Sequence, residues 1–141
     1  MSARQLKQQT RKLFREVRAV QCPAFPKETV AFNSKGINHL FHKGTRTNRM
    51  RSRKEIAIRV KLLPRAIKLL SLMPVYQQDV VFNIDGKTLK FWSLEGVVDD
   101  RRIKVIVRQI GNGNKHFWSV IPDWRKIRGV IQNAKSDLSK L

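Results

Sequence analysis

Two histidines, a serine and several arginines are the residues of this chain whose types could carry out chemistry. His39 lies in the segment NSKGINHLF, and His116 and Ser119 lie in KHFWSVIP. Histidine can act as a general acid or base because its ordinary pKa is near 6.5, and arginine presents a planar fork that matches phosphate. Such groups could cleave RNA without a metal. A base takes the 2′-hydroxyl proton, an acid protonates the leaving oxygen, and cations stabilise the phosphorane.

The two histidines are predicted to lie in different elements, His39 on a helix and His116 at the start of a strand. His39 lies at the edge of the apolar helix face that Ile37 and Leu40 form, so we expect it to be half-buried and held still. His116 begins the last predicted strand. Side chains alternate along that strand in two sets, with Phe117, Ser119 and Ile121 in one and His116, Trp118 and Val120 in the other.

Both sets in the last strand contain apolar residues, so the sequence leaves open which face is buried. The strand could be an aromatic core strand. If instead Phe117 and Ile121 point to the core, His116 and Trp118 face outward together and could contact a substrate. If Trp118 and Val120 are in the core, Ser119 lies on the open face with Phe117 near the site.

Cations on a strand and in a loop are candidates for holding a nucleic-acid backbone. Lys104 and Arg108 share one face of the strand RRIKVIVRQI and could be phosphate contacts or ordinary solvent-facing charge. A polar basic loop predicted over residues 42–53 could close over the same face. Its candidate nucleic-acid-binding residues are Arg46, Arg49, Arg51 and Arg53.

The charge of the whole chain favours a nucleic-acid partner. Thirty Lys and Arg residues against ten Asp and Glu give a formal net charge of +20. Residues 42–68 contain ten cations and one acid, Glu55. A domain with this much self-repulsion is expected to bind a polyanion. A membrane surface is the weaker alternative, because no long basic amphipathic helix has an exposed aromatic face.

The sequence predicts no metal and no cofactor. His39 and His42 could supply two ligands from adjacent helical turns, but a zinc site needs three or four. The pair Asp99-Asp100 indicates a charged turn, since catalytic metal binding would need a third carboxylate. One cysteine, Cys22, excludes an internal disulfide. No secretion signal and no transmembrane segment are evident, so we expect a cytoplasmic protein.

The elements that must position these residues fall into a helical part and a sheet part. Helical spacing predicts a helix over 2–20, and a second over 33–41 whose Gly36 indicates close packing or a ligand. A short strand over 29–32 lies between them. The capping box Ser52-Arg53-Lys54-Glu55 starts a third helix, which we expect to break or kink at Pro64 before a second helical segment.

After residue 74 the apolar residues recur with a period of two, which is typical of strands. A hairpin over 80–96 turns at Asp85-Gly86, and a second hairpin joins 101–110 to 115–122. The sequence thus predicts a single α+β domain, with helices preceding a four-stranded antiparallel sheet. We divide it into an N-terminal helix and linker at 1–28, a core at 29–127 and a tail at 128–141 that could be a frayed helix.

Four segments carry a family resemblance: FNSKGINHLF, EIAIRVKLLPRAIKLL, IKVIVRQI and KHFWSVIP. Over roughly residues 29–122 the chain resembles the phage- and toxin-associated nucleases grouped with barnase, EndoU, the tRNase colicins and RelE. The resemblance implies N-terminal helices packed on the sheet, and metal-independent endoribonuclease activity on tRNA or mRNA. By position, His39 and Arg59 match the family's helical histidine and arginine. Arg108 matches the arginine that ends the third strand, and Ser119 the serine of the last.

Together these considerations favour a toxin-type endoribonuclease. Its expected catalytic residues are His39, Arg59, Arg108, Ser119 and His116. Its expected partners are RNA and an acidic antitoxin or immunity protein that competes with RNA. A non-catalytic RNA- or DNA-binding module is the alternative, and a basic component of a larger ribonucleoprotein is a third possibility.

Overall fold

A computed structural model describes residues 1–43, 49–122, 125–127 and 130–132 of the chain, and these form an α+β structure. The helices are α1 Ala3–Val17, α2 Ser34–Phe41 and α3 Arg53–Leu72. The strands are β1 Ala19–Gln21, β2 Thr29–Ala31, β3 His42–Lys43, β4 Arg49–Met50, β5 Gln78–Ile84, β6 Lys87–Val98, β7 Arg101–Ile110, β8 His116–Pro122, β9 Arg125–Ile127 and β10 Val130–Gln132. The predicted fold class is confirmed.

The main sheet has six strands in the spatial order β1-β2-β8-β7-β6-β5. Its neighbours are antiparallel except β2 and β8, which run parallel and pair at Ala31 and His116. The prediction of a four-stranded antiparallel sheet is therefore wrong. Two three-residue strands near the N-terminus extend it, and one of them adds a parallel pairing. Two-stranded ladders join β3 to β4 and β9 to β10, so β10 lies in the segment predicted as a tail.

The first helix is shorter than predicted because its C-terminus is turned by the backbone of Arg18. The helix begins at the capping box in which Ser2 and Gln5 exchange hydrogen bonds. Arg18 has a φ of 60°, which a helix cannot continue. The next residues therefore leave the helix and pair as β1 with β2.

The other two helices begin where their caps predict. Asn33 accepts a hydrogen bond from Lys35 N at 3.1 Å, and Ser52 accepts one from Glu55 N at 3.2 Å. Of the expected break or kink at Pro64, the break is absent, since α3 runs through Pro64 to Leu72. Burial of the flanking apolar side chains on the sheet offsets a proline cost of about 3 kcal/mol. They are Leu62, Leu63, Ala66, Leu69 and Leu70.

Two-residue turns join the long strands. Asp85 and Gly86 have φ of 49° and 75°, as the Asp-Gly hairpin prediction requires. Asp99 and Asp100 have φ of 50° and 62° and turn β6 into β7 in the same way. The acidic pair therefore lies in a tight turn, and Asp99 accepts a hydrogen bond from Lys68 at 3.3 Å.

The helices cover one face of the sheet. Val105 and Val107 of β7 and Phe117 and Val120 of β8 are fully buried there. The Phe117 ring stacks on Phe32 at 4.9 Å, so Phe117 is a core residue and the expectation that it lies near the site is wrong. None of the described helices is long and apolar enough to cross a membrane.

Candidate active site

A one-residue bulge in β8 determines which side chains of KHFWSVIP lie together. Val107 pairs with Phe117 and the preceding β7 residue, Ile106, pairs with Ser119, so Trp118 is an extra residue without a partner on β7. The simple alternation predicted for this strand is therefore wrong. Phe117 and Val120 share the helix-covered face, although they are three residues apart.

Close packing of α2 against β8 brings His39 to this bulge. A Cβ built at Gly36 would overlap the carbonyl oxygen of Phe117, so any larger residue would push the helix off the strand. Gly36 is therefore explained by close packing, which is one of the two reasons its sequence position suggested. One helical turn later, His39 reaches the side chain of Trp118.

Trp118 lies between a histidine and an arginine. The His39 ring stacks on the indole at a centroid distance of 4.0 Å and an interplanar angle of 15°. The guanidinium carbon of Arg108 lies 3.5 Å from an indole centroid. Two groups this close to the ring would overlap if they shared a face, so they occupy opposite faces. The indole thus fixes both groups and has no face open to a nucleic-acid base.

His39 is also held by Arg51. Arg51 Nε donates to the backbone oxygen of His39 at 3.1 Å, and Arg51 Nη2 donates to His39 Nε2 at 3.3 Å. Because a guanidinium has no acceptor, Nε2 carries the lone pair and the proton of the neutral ring is on Nδ1. Nδ1 is a buried polar atom that the described chain leaves without a hydrogen-bond partner.

The second histidine has the same relation to a second arginine. Arg108 Nε donates to His116 Nε2 at 2.9 Å, and the two residues are register partners on β7 and β8. His116 is 2% exposed and Arg108 is 8% exposed. The same guanidinium therefore stacks on Trp118 and bonds His116.

Arg59 joins the last candidate catalytic residue to these groups. Its Nη1 donates to the hydroxyl of Ser119 at 2.6 Å and to the carbonyl oxygen of Val120 at 3.3 Å. Arg59 comes from α3 and Ser119 from β8, so the contact joins residues 60 positions apart. We call the resulting group the His–Arg cluster. Its members are His39, Arg51, Arg59, Arg108, His116, Trp118 and Ser119.

The electrostatics of the cluster keep both histidines neutral. Burial, reinforced by Arg51, Arg59 and Arg108, lowers the pKa of His39 to about 4. Burial and the neighbouring Arg108 lower the pKa of His116 to about 4, against a hydrogen bond to the backbone of Asn114 that raises it. Burial lowers the pKa of Arg59 and of Arg108 to about 10, so both remain cationic at neutral pH.

Arg108, which is buried, and Arg59, which is half-buried, form no ion pair within the described chain, although the charge of Glu55 acts on Arg59. Arg59 and Arg108 are bonded to a hydroxyl, a carbonyl oxygen and an imidazole, and neither is paired with an acid in the described chain. Arg51 lies 3.6 Å from Glu55, at the rim. Partly buried cations that lack a counterion attract an anion. The cluster is therefore suited to bind phosphate.

The other candidate nucleic-acid-binding residues lie outside the cluster. Arg49 is exposed on β4, and Arg53 is exposed at the start of α3, where its Nε donates to Met1 O at 2.7 Å. Lys104 pairs with Glu95 at 3.4 Å. Arg46 lies outside the described residues. The assignment of these four residues to nucleic-acid binding remains a prediction.

Two features in and beside the cluster were missed by reasoning from the sequence. Arg51, predicted as a loop contact with nucleic acid, is the hydrogen-bond partner of His39. Phe91 is opposite Arg108 on β6, and its ring lies 6.5 Å from that of Trp118. Strand alternation could have placed Phe91 on a face, but only the register of β6 with β7 puts it beside Arg108.

The donor set of the site is poor in metal ligands. Among the described residues, no group of three or more His, Cys, Asp or Glu side chains could hold a metal ion. His42, the second histidine of the His-x-x-His spacing, follows the end of α2, and its Nδ1 lies 3.2 Å from the carbonyl oxygen of Asn38 in that helix. Comparisons with models of protein families, with curated proteins and with solved structures found no match.

Proposed function

We propose that the protein is a small, metal-independent endoribonuclease of toxin type that acts on tRNA or mRNA in the cytosol. The observation that carries the proposal is the His–Arg cluster. It combines two neutral histidines with three arginines around one stacked tryptophan. The net charge of +20 supports a polyanionic substrate.

In this proposal the scissile phosphate binds to Arg59 and Arg108. Both guanidiniums lack a carboxylate partner among the described residues, and their donors would stabilise the charge that gathers on the phosphorane oxygens. Ser119 accepts a hydrogen bond from Arg59 and so orients the Arg59 guanidinium. Trp118 acts as a positioning residue because it fixes His39 and Arg108 on its two faces.

His39 is the proposed proton-transfer group. A pKa of about 4 leaves it neutral at pH 7, which is the form that a general base requires. When phosphate binds, Arg51 would turn towards the anion and release the lone pair of Nε2. The same anion would offset the charges of the arginines and raise the pKa of His39, so that it can keep the proton it takes. His116 is the second candidate, for the opposite role.

One observation favours a non-catalytic RNA- or DNA-binding module instead. In the free protein the Nε2 atoms of both histidines accept hydrogen bonds from arginines, so neither of these lone pairs is available as a base. A module of this kind would use the cluster as a rigid phosphate site. The two functions differ in whether RNA is cut.

The test is incubation with total tRNA and a model mRNA in EDTA. Fragments that end in a 2′,3′-cyclic phosphate are expected with the wild type and with His42→Ala, and not with His39→Ala. His42 is the matched control, since it is a histidine three residues away that lies outside the cluster. RNA that shifts on a gel but stays intact would overturn the nuclease and support the binding module.

An acidic antitoxin or immunity protein is the partner that the proposal adds. A cationic site that must be silenced in its own cell is best covered by carboxylates, which would compete with RNA for Arg59 and Arg108. Inhibition of cleavage by a candidate partner, relieved by excess RNA, would support this competition.

A further inference from the structure

The terminal strand β5 differs in charge from the rest of the chain. Residues 69–86 contain no Lys or Arg, which is the longest such run in the sequence, and they include Asp79 and Asp85. A surface that binds a polyanion would not exclude cations in this way. This segment is therefore unsuited to RNA, although the protein as a whole carries +20.

The same segment exposes apolar side chains. Of nine exposed large apolar residues in the described chain, five lie between positions 75 and 82. They are Val75, Tyr76, Val80, Val81 and Phe82, each 39–59% exposed. We call residues 75–84 the β5 edge. Contiguous exposed apolar residues mark a surface that contacts another protein.

The backbone of the β5 edge offers a place for another strand. β5 is the last strand of the six-stranded sheet, and β6 pairs with one side of it over its whole length. The other side presents N–H and C=O groups that β6 does not use. An open strand edge with apolar side chains is a template for strand addition.

We propose that the β5 edge pairs with the β5 edge of a second copy of this chain, in antiparallel register centred on Val81. When a strand pairs with its own copy about a twofold axis, one residue lies on the axis and is opposite itself. If that residue is Val81, all of Gln78–Ile84 is paired. In that register Val81 is opposite its own copy and Val80 is opposite Phe82 of the second copy.

Charge favours a second copy at this surface over an acidic partner. The self-paired register sets Asp79 opposite Asn83, so no two like charges are opposed. An acidic partner strand would instead meet Asp79 and Asp85. The β5 edge is also where two highly cationic molecules can approach with the least repulsion, because it has no cations of its own.

The pairing would join two six-stranded sheets into one continuous sheet. Residues opposed across an antiparallel pair project from the same face, so the two His–Arg clusters would face the same side. Seven strand spacings separate one β8 from the other, which is roughly 34 Å at about 4.8 Å per strand. This inference does not rest on ribonuclease activity, since it concerns only the assembly.

The test is the mass in solution of protein freed from nucleic acid by high salt. We expect a concentration-dependent species of twice 16.5 kDa, and complete loss of it in Val81→Glu. Val81 is 55% exposed and is opposite Lys90 within its own chain, so the acidic side chain is compatible with the folded monomer. Ile58→Glu is the matched control, because Ile58 is 40% exposed on α3, and it should still dimerise.

Mixing two variants makes the test specific for self-pairing. Val81→Lys alone should also be monomeric, because two ammonium groups would be opposed. An equimolar mixture of Val81→Lys and Val81→Glu should regain the double mass, because each lysine would then face a glutamate. Amide exchange of wild-type β5 should slow as concentration rises, which needs no variant. A wild type that is monomeric up to its solubility limit overturns the proposal. A dimer that Val81→Glu leaves intact, or a β5 edge that binds only a foreign protein, also overturns it.

Discussion

The His–Arg cluster and the β5 edge are two regions of one sheet that differ in charge and in burial. The cluster gathers three arginines, one from β7, one from α3 and one from position 51 between β4 and α3, and its Arg108 and His116 are almost fully buried. The β5 edge, three strands away, has no cation and is exposed along almost all of its length. The net charge of the chain alone would predict that both regions bind nucleic acid.

The difference also lies in how each region is assembled. The cluster is built from residues of α2, α3, β7 and β8 and from Arg51 just before α3, and each cation is fixed by a stack or a hydrogen bond. The β5 edge comes from one continuous segment. A site that must hold reacting groups needs such long-range support, whereas a strand edge needs only its own backbone.

The largest effect is expected from His39→Ala. If the cluster is catalytic, the loss of a proton-transfer group lowers the cleavage rate by about 10²–10⁴-fold. Val81→Thr at the β5 edge should leave the rate unchanged, because Val81 contributes no charge and lies on the outermost strand. The initial rate of tRNA cleavage in EDTA measures both variants. Equal losses would show that the two regions do not differ in function.

Arg108→Ala should give the next largest effect, a fall in the cleavage rate of about 10²–10³-fold from the loss of one donor to the developing charge. Lys104→Ala is the control on the same strand, because Lys104 is paired with Glu95 at 3.4 Å. It should cost less than Arg108→Ala in a single-turnover assay. A larger loss for Lys104→Ala would place the phosphate further along β7.

The pH dependence of the free energy of unfolding tests the cluster without a substrate, because the cluster contains buried histidines and the β5 edge contains none. An unfolded histidine has a pKa near 6.5, whereas folded His116 has a pKa of about 4. As the pH falls from 6.5 to about 4, the unfolded state therefore binds a proton that the folded state excludes. The free energy of unfolding drops by on the order of 3 kcal/mol for this residue.

Urea unfolding across that pH range measures the effect. His116→Gln should reduce the dependence by about half, since glutamine can still accept from Arg108 but does not titrate, whereas His39, whose pKa is also about 4, still contributes. His42→Gln, outside the cluster, should keep the wild-type dependence. If His116→Gln also keeps it, another group causes the acid sensitivity.

The smallest effect is expected from a rim cation. Arg49 is exposed on β4, so Arg49→Ala should weaken RNA binding by a similar factor for all sequences. It should reduce the slope of log K against log salt by about 1. Val81→Thr should leave the slope unchanged. Titrations at several salt concentrations measure the slopes, and a changed slope in the β5 variant would extend the RNA surface to that edge.

The local parts of the fold could be predicted from the sequence. Caps at Asn33 and Ser52 and the turn at Asp85-Gly86 depend on residues a few positions apart, and all three were correct. The unbroken helix at Pro64 and the strand pairing of residues 19–31 depend on tertiary contacts. The burial that offsets the proline cost and the parallel contact with β8 both involve residues distant in the sequence, so no local sequence pattern predicts them.

The candidate site was predictable in its residue types and not in its arrangement. His39, Arg59, Arg108, His116 and Ser119 were chosen by chemistry and by family resemblance, and the structure brings them together. Their joint position depends on the bulge in β8, which is defined only by pairing with β7. Alternation, which is a local rule, therefore assigned Phe117 and Val120 to opposite faces when they share one.

Because of the bulge, β8 could lose one particular residue and still keep its register with β7. Phe117 and Ser119 already pair with adjacent β7 residues, so loss of residue 118 would leave every other pairing of that strand in place. Loss of residue 120 would instead shift Ile121 and Pro122 by one position and reverse their faces. A single lost codon at position 118 would thus remove Trp118 from between His39 and Arg108 while the strand kept its register.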